Sequence, residues 1–159
     1  MKIGVLSDTH LKTIPEHLGE AIDHHFKDVD MILHAGDVVE AGVLDYFAGR
    51  VVKAVAGNMD SYVLKNRNPV KMVLPIEGFK VGLIHGWGSP VGIEDRIRGA
   101  FEDIDILIFG HTHNATSHTK DGVLFFNPGS PTCKRFAAQN TIGILEIGEG
   151  INPRIITIE

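Results

Sequence analysis

The position of the polar residues constrains this chain more than anything else about it. Five short apolar runs each break off into a cluster of chemistry-bearing side chains. Lys2 to Leu6 runs into Ser7-Asp8-Thr9-His10, Met31 to Leu33 into His34-Ala35-Gly36-Asp37, and Val51 to Ala56 into Gly57-Asn58-Met59-Asp60. Phe79 to Ile84 runs into His85-Gly86, and Ile104 to Phe109 into Gly110-His111-Thr112-His113. Runs this short and rich in Ile and Val read as buried strands. In α/β sheets the loops beyond the carboxyl ends of the strands converge, and ligands bind there. Five such ends, each carrying a carboxylate, an amide or an imidazole, define a candidate site before any fold is drawn.

The segments between the runs set the architecture. Pro15 to Lys27 has Leu18, Ala21, Ile22 and Phe26 at helical spacing behind a proline suited to a first turn. Glu40 to Ala48 and Glu94 to Phe101 also read as helices. Lys71 to Ile76 and Phe79 to Ile84 flank Glu77-Gly78, a short turn suited to a hairpin. Thr116 to Lys120 and Val123 to Phe126 flank Asp121-Gly122, a type I′ signal. Ile142 to Ile147 and Ile155 to Ile158 finish the chain around a Gly-rich turn. The first half is thus βαβαβ and the second mostly antiparallel strands. This α/β pattern fits two packed sheets with helices outside, and an open doubly wound sheet is the alternative. The 159 residues suffice for a single domain over 1–159.

A formal charge of −5 and the lack of clustered Lys and Arg exclude a protein whose main task is gripping the nucleic-acid backbone. A nucleotide-like substrate stays open if cations supply the positive charge. A lone cysteine, Cys133, forms no intrachain disulfide, and no apolar run is long enough to span a bilayer. Cytoplasm is the expected location, with no membrane partner. Trp87, Phe125 and Phe136 are candidates for an exposed apolar interface between copies of the chain.

Asp8, His10, Asp37, Asn58, His85, His111 and His113 form a mixed oxygen and nitrogen set without thiolate. Such a set suits Mn²⁺, Fe²⁺, Co²⁺, Ni²⁺ or Zn²⁺. Seven ligands are too many for one open tetrahedral centre and match two ions sharing a carboxylate, for which Asp37 is the natural bridge. Any one motif has a plain structural reading: Gly57-Asn58 as a turn, Gly36-Asp37 as a helix cap. Together, in this order and all at strand ends, they do not.

These five motifs resemble those of the calcineurin-like metallophosphoesterases. The short chain and Asn127-Pro128-Gly129-Ser130 are similar to the small prokaryotic, YfcE-like phosphodiesterase branch. The resemblance implies a four-layer αββα sandwich, two mixed sheets flanked by helices. It implies two divalent ions, Mn²⁺ foremost, one held by Asp8, His10, Asp37 and His113 and the other by Asp37, Asn58, His85 and His111. It also implies hydrolysis of a small phosphodiester or nucleotide-like substrate by a hydroxide bridging the ions, with Asp37, Asn58 and His85 at the catalytic heart. Many members carry His directly after the motif Asn, where it can protonate the leaving oxygen; this chain has Met59. The alternative is a protein-binding scaffold of the same fold, as in the small subunit of the retromer coat. All seven ligand positions being filled favours the enzyme.

Other residues carry lesser expectations. Asp60 orients a ligand His or caps a loop, Asn127 braces the site, and His34 is a satisfied core histidine. Thr9 and Thr112 lie between ligands. Arg135 faces solvent or a phosphate, and Cys133 is inert. His17, His24, His25 and His118 lie on helix or hairpin surfaces.

Overall fold

The structure is a computed structural model that describes residues 1–133 and 135–158. Among the described residues ten strands and four helices follow one another as β1 (Lys2–Leu6), α1 (Glu16–Phe26), β2 (Met31–His34), α2 (Ala41–Asp45), β3 (Val52–Ala54), α3 (Tyr62–Arg67), β4 (Lys71–Ile76), β5 (Phe79–Ile84), α4 (Ile93–Arg98), β6 (Ile106–Ile108), β7 (Thr116–Lys120), β8 (Val123–Asn127), β9 (Asn140–Ile147) and β10 (Ile151–Ile158). They form two five-stranded sheets, ordered β10-β9-β1-β2-β3 and β4-β5-β6-β8-β7.

Each sheet is mixed, with three neighbouring parallel strands. In the first, β1, β2 and β3 run parallel while β9 opposes β1. In the second, β5, β6 and β8 run parallel between antiparallel edges β4 and β7. Alternation along each strand gives every sheet an inner and an outer apolar face. The inner faces meet through Ile3, Val5, Leu33, Leu83, Ile106, Ile108 and Phe126. Leu18, Ile22 and Phe26 of α1 cover Ile32, Ile142 and Ile144 on the outside of the first sheet. Ile93 and Ile97 of α4 cover Leu107, Val123 and Phe125 on the outside of the second. Each such buried side chain contributes about 1.5–3 kcal/mol. The result is the helix-sheet-sheet-helix layering expected from the sequence, not the doubly wound sheet.

Both short hairpins are of the expected kind. Asp121 and Gly122 have φ of 50° and 78°, Glu77 and Gly78 of 50° and 85°. Positive φ at both central positions is the type I′ requirement, whose twist matches the flanking strands. Three expectations need correction. The helix over 62–67 was not foreseen; Ser61 caps it by accepting a hydrogen bond from the Leu64 amide at 3.4 Å. The apolar run 104–109 pairs as a strand only over Ile106–Ile108. Phe125 is buried, 2% exposed, because α4 and the His118 ring, stacked on it at 5.7 Å, cover it; Trp87 and Phe136 are exposed.

The parallel strands of both sheets place their carboxyl ends at one edge of the sandwich. The loops after β1, β2 and β3 meet the loops after β5, β6 and β8 there. Asp8 and His10 amides donate to Gly36 and Asp37 carbonyls at 3.0 and 3.1 Å, locking the first two loops together. The Gly110 amide donates to His85 O at 3.0 Å, tying the second pair.

Candidate metal centre

All seven candidate ligands come from these loops and meet in one place. The floor is dry: Asp8, Asp37 and His85 are all buried. The mouth is open: Asn58 is exposed, and His10, His111 and His113 are half-buried. Five of the seven have backbone in the left-handed region, with φ of 53° at Asp8, 47° at His10, 53° at Asp37, 70° at His111 and 60° at His113. Such conformations are costly for non-glycine residues and gather at functional sites. Gly57 and Gly110 show how closely the loops approach. A Cβ on Gly57 would lie 2.1 Å from the Asp37 amide nitrogen, and one on Gly110 would lie 1.8 Å from Ser7 Oγ.

Each buried carboxylate has one oxygen tied down and the other turned inward. Asp8 Oδ2 accepts from Ser7 Oγ at 2.5 Å and from the His111 amide at 3.0 Å. Asp8 Oδ1, which the His111 amide also reaches at 3.3 Å, faces ring nitrogens of His113 at 3.4 Å, His10 at 3.7 Å and His85 at 4.0 Å. Asp37 Oδ1 accepts from the Met59 amide at 2.8 Å, while Oδ2 faces His85 at 3.3 Å and His10 at 3.6 Å. The sequence pointed to Asp37 alone as the shared carboxylate. The two candidate groups in the structure, Asp8-His10-His113 and Asp8-Asp37-His85, share Asp8, while Asp37 Oδ2 also comes within 3.6 Å of His10.

The imidazoles are oriented by their far nitrogens. His85 Nδ1 donates to Ala35 O at 2.8 Å, so in the neutral ring Nε2 carries the lone pair. That lone pair faces Asp37 Oδ2 at 3.3 Å and Asn58 Oδ1 at 3.1 Å, both acceptors. His111 Nε2 donates to Gly88 O at 2.8 Å, turning its Nδ1 lone pair toward the same Asn58 Oδ1 at 3.3 Å. His10 and His113 meet Nε2 to Nε2 at 3.1 Å. Acceptors therefore converge on acceptors, which a buried cluster tolerates only around positive charge. Two donors bound to one ion at about 2.1 Å lie about 3.0–3.5 Å apart, so these separations suit a divalent cation.

The electrostatics agree. Burial opposes ionisation of Asp8, yet the His10 and His113 rings hold its carboxyl well below the usual carboxylate range. Asp8 in turn pushes His113 up to about 9. Burial works against charge on His85, but Asp37 and Asp8 outweigh it and raise its pKa. Without an ion, protons are drawn in as the positive charge this cluster needs.

The surrounding residues resolve into braces. Asp60 accepts from the Val39 and Gly57 amides, both at 2.7 Å, and so caps the loop without touching a ligand His. Asn127 donates to Gly110 O and Thr112 Oγ1 and accepts from the Gly129 amide, holding the loop that carries His111 and His113. His34 is the satisfied core histidine foreseen: Nδ1 accepts from the Gly36 amide and Nε2 meets Thr9 Oγ1 at 3.2 Å. Thr9 is buried and away from the mouth. Arg135 is exposed, its guanidinium over the Phe136 ring at 5.3 Å. Ser130 Oγ donates to Asp8 O at 2.7 Å and Thr132 Oγ1 to Thr9 O at 2.9 Å, clamping the Asp8 loop from the opposite sheet. Nothing in the spacing of Thr132 signals that role.

Residues 1–150 match the calcineurin-like phosphoesterase superfamily domain. A probable metallophosphoesterase of Methanothermobacter thermautotrophicus is 36% identical over 159 residues, covering 98% of this chain and 92% of that one. The structure superposes on that of an archaeal phosphodiesterase with a TM-score of 0.77 at 29% identity, covering 99% of this chain and 100% of the other. Wild-type Vps29 of Entamoeba histolytica, solved in complex with Zn²⁺, shares the fold with a TM-score of 0.74 at 24% identity and 99% coverage of both chains.

Proposed function

Because the chain belongs to the calcineurin-like phosphoesterase superfamily, we propose that it is a phosphodiesterase working with two divalent ions held by Asp8, His10, Asp37, Asn58, His85, His111 and His113. The family implies divalent metal, and the structure offers two candidate groups for it. The observation that carries the reading is the convergence of Asp37 Oδ2, His85 Nε2 and Asn58 Oδ1, among which a neutral His85 ring supplies no donor and a cation or a proton is needed. When bound, such ions activate water and neutralise charge developing on phosphate oxygens. Mn²⁺ heads the candidates, with Ni²⁺, Fe²⁺, Co²⁺ and Zn²⁺ behind it.

The chain's own residues do the positioning. Ala35 O fixes the His85 ring, and the Met59 amide fixes Asp37, so neither reorganises during reaction. Asn58, exposed at the mouth, has amide N–H groups able to donate to a phosphate oxygen. Met59 offers no proton to a leaving group, so esters of acidic alcohols turn over fastest. The substrate is a small phosphodiester or nucleotide-like ester. The lone Cys133 suits the cytoplasm, and among the described residues no helix is long and apolar enough to cross a membrane.

A panel of p-nitrophenyl diesters and monoesters, run against several divalent ions, tests the reading. Hydrolysis with Mn²⁺, abolished by a chelator and lost in His85→Ala, is the expected result. A protein that binds metal and hydrolyses no ester would overturn it. The scaffold alternative would then stand, favoured by the fold shared with Vps29 and by exposed Tyr62 and Val63 on α3.

A further inference from the structure

Beside the metal centre lies a second cavity of about 400 Å³, within the range of small-molecule sites. Asn58 and His85 are part of its lining, so anything seated in it lies next to the candidate ligands. The remaining lining includes Ala56, Val70, Trp87 and Lys65. Trp87 is 47% exposed, a large aromatic surface facing solvent at the edge of a polar site.

The loop carrying Trp87 is held at several points. Arg96 of α4 donates through Nη1 to Trp87 O at 2.8 Å and to Ser89 O at 3.0 Å, and through Nη2 to Val91 O at 3.3 Å. His111 Nε2 donates to Gly88 O at 2.8 Å, linking the loop to the centre itself. A loop whose backbone is held in advance loses little freedom when a ligand meets the aromatic side chain it carries. Lys65, also in the lining, donates through Nζ to Asn58 O at 2.8 Å, which brings an ammonium to the cavity in a chain of formal charge −5.

We propose that this cavity seats a nucleobase, stacked on Trp87, belonging to a nucleotide ester whose phosphate lies at the metal centre. The proposal rests on the phosphodiesterase reading and names its substrate class. A flat ring with polar edges matches an indole face with a cation at the rim. A long acyl chain needs a longer apolar groove than this one, and an aliphatic ester leaves the indole without a partner.

Trp87 is the one tryptophan in the chain, so intrinsic emission reports this cavity alone. Zn²⁺-supplemented protein is titrated with AMP and, separately, with ribose 5-phosphate, which has the same phosphate without the base. AMP should shift or quench the emission saturably, at a concentration about tenfold or more below that needed for ribose 5-phosphate. Calorimetric titration of Trp87→Ala, which lacks the fluorophore, should show the two ligands binding equally, with Trp87→Phe retaining most of the preference. Equal affinities in the wild type, or a preference that survives Trp87→Ala, would overturn the proposal. Ester hydrolysis without discrimination between the two ligands removes the subsite and leaves the enzyme. Discrimination without hydrolysis of any ester removes the enzyme and leaves a nucleotide-binding cavity.

Discussion

A single methyl group at Gly57 tests how tightly the centre is built. A Cβ there would stand 2.1 Å from the Asp37 amide nitrogen and 2.2 Å from Asp37 Oδ1. Ordinary contact begins near 3.4 Å, so Asp37 must retreat by about 1 Å. Its tie to the Met59 amide at 2.8 Å and the approach of Oδ2 to His85 at 3.3 Å cannot both survive that movement. Misplacement by about 1 Å costs on the order of 10²-fold in rate, and overpacking costs about 1–3 kcal/mol of stability. Gly57→Ala should therefore lose about 10²-fold in kcat/KM for bis(p-nitrophenyl) phosphate at saturating Mn²⁺. Its melt, followed by circular dichroism, should fall by about 2–12 °C, at about 2–4 °C per kcal/mol. Gly78→Ala is the control: its Cβ meets nothing within 4 Å, but its φ of 85° is strained for a side chain. That variant should lose stability and keep its activity. If Gly57→Ala retained activity within about threefold of wild type, the account of how Asp37 is positioned would be wrong.

Two further predictions use other parts of the site. Burial pushes His34 down to about 4, against about 6.5 in the unfolded chain. Below pH 6.5 the unfolded chain takes up a proton that the folded one refuses, so stability is lost as pH falls toward 4, by about 3 kcal/mol in all. His113, raised to about 9, acts in the opposite sense: its contribution is full below about 6.5 and disappears as pH rises through 9. Metal-free protein should thus be most stable near pH 6.5 in a series of thermal melts, and saturating metal should flatten the alkaline arm; a metal-free optimum above pH 8 would contradict the His113 assignment, and one below pH 5 the His34 assignment. Met59 is 58% exposed, so Met59→His fits without disturbing the core. It should accelerate hydrolysis of alkyl diesters by about 10-fold or more while leaving p-nitrophenyl esters within about twofold, because only the former need a proton on departure. Equal effects on both classes would rule out that explanation.

Much of this arrangement was legible in the sequence because local chemistry and fold agree. Asp121-Gly122 and Glu77-Gly78 announce their hairpins through the positive φ both positions adopt. The seven candidate ligands could be read because each follows an apolar run directly, and parallel strands deliver their carboxyl ends to one edge. What was not legible depends on contacts across the fold. The helix over 62–67 buries only Leu64 and leaves Tyr62 and Val63 exposed, so it has no apolar periodicity; the capping Ser61 was its one local signal. Phe125 reads with Trp87 and Phe136 as an exposed apolar residue, whereas β8 is buried throughout because cover from α4 and from His118 comes from elsewhere in the chain. The shared position of Asp8, the clamp from Ser130 and Thr132, and the cavity beside Trp87 all arise where loops of different sheets meet. No spacing along the chain encodes those meetings.

The central claim is a centre that holds two cations, and metal stoichiometry addresses it most directly. Protein stripped with chelator, reloaded with Mn²⁺ or Zn²⁺ and exhaustively desalted is measured by elemental analysis against protein concentration. Two ions per chain are predicted for wild type, with the second lost when Asp8 and Asp37 are both replaced by Asn, since Asp8 belongs to both groups and Asp37 Oδ2 lies 3.6 Å from His10 of the other group. One ion per chain in the wild type at saturation, or none, would contradict the account.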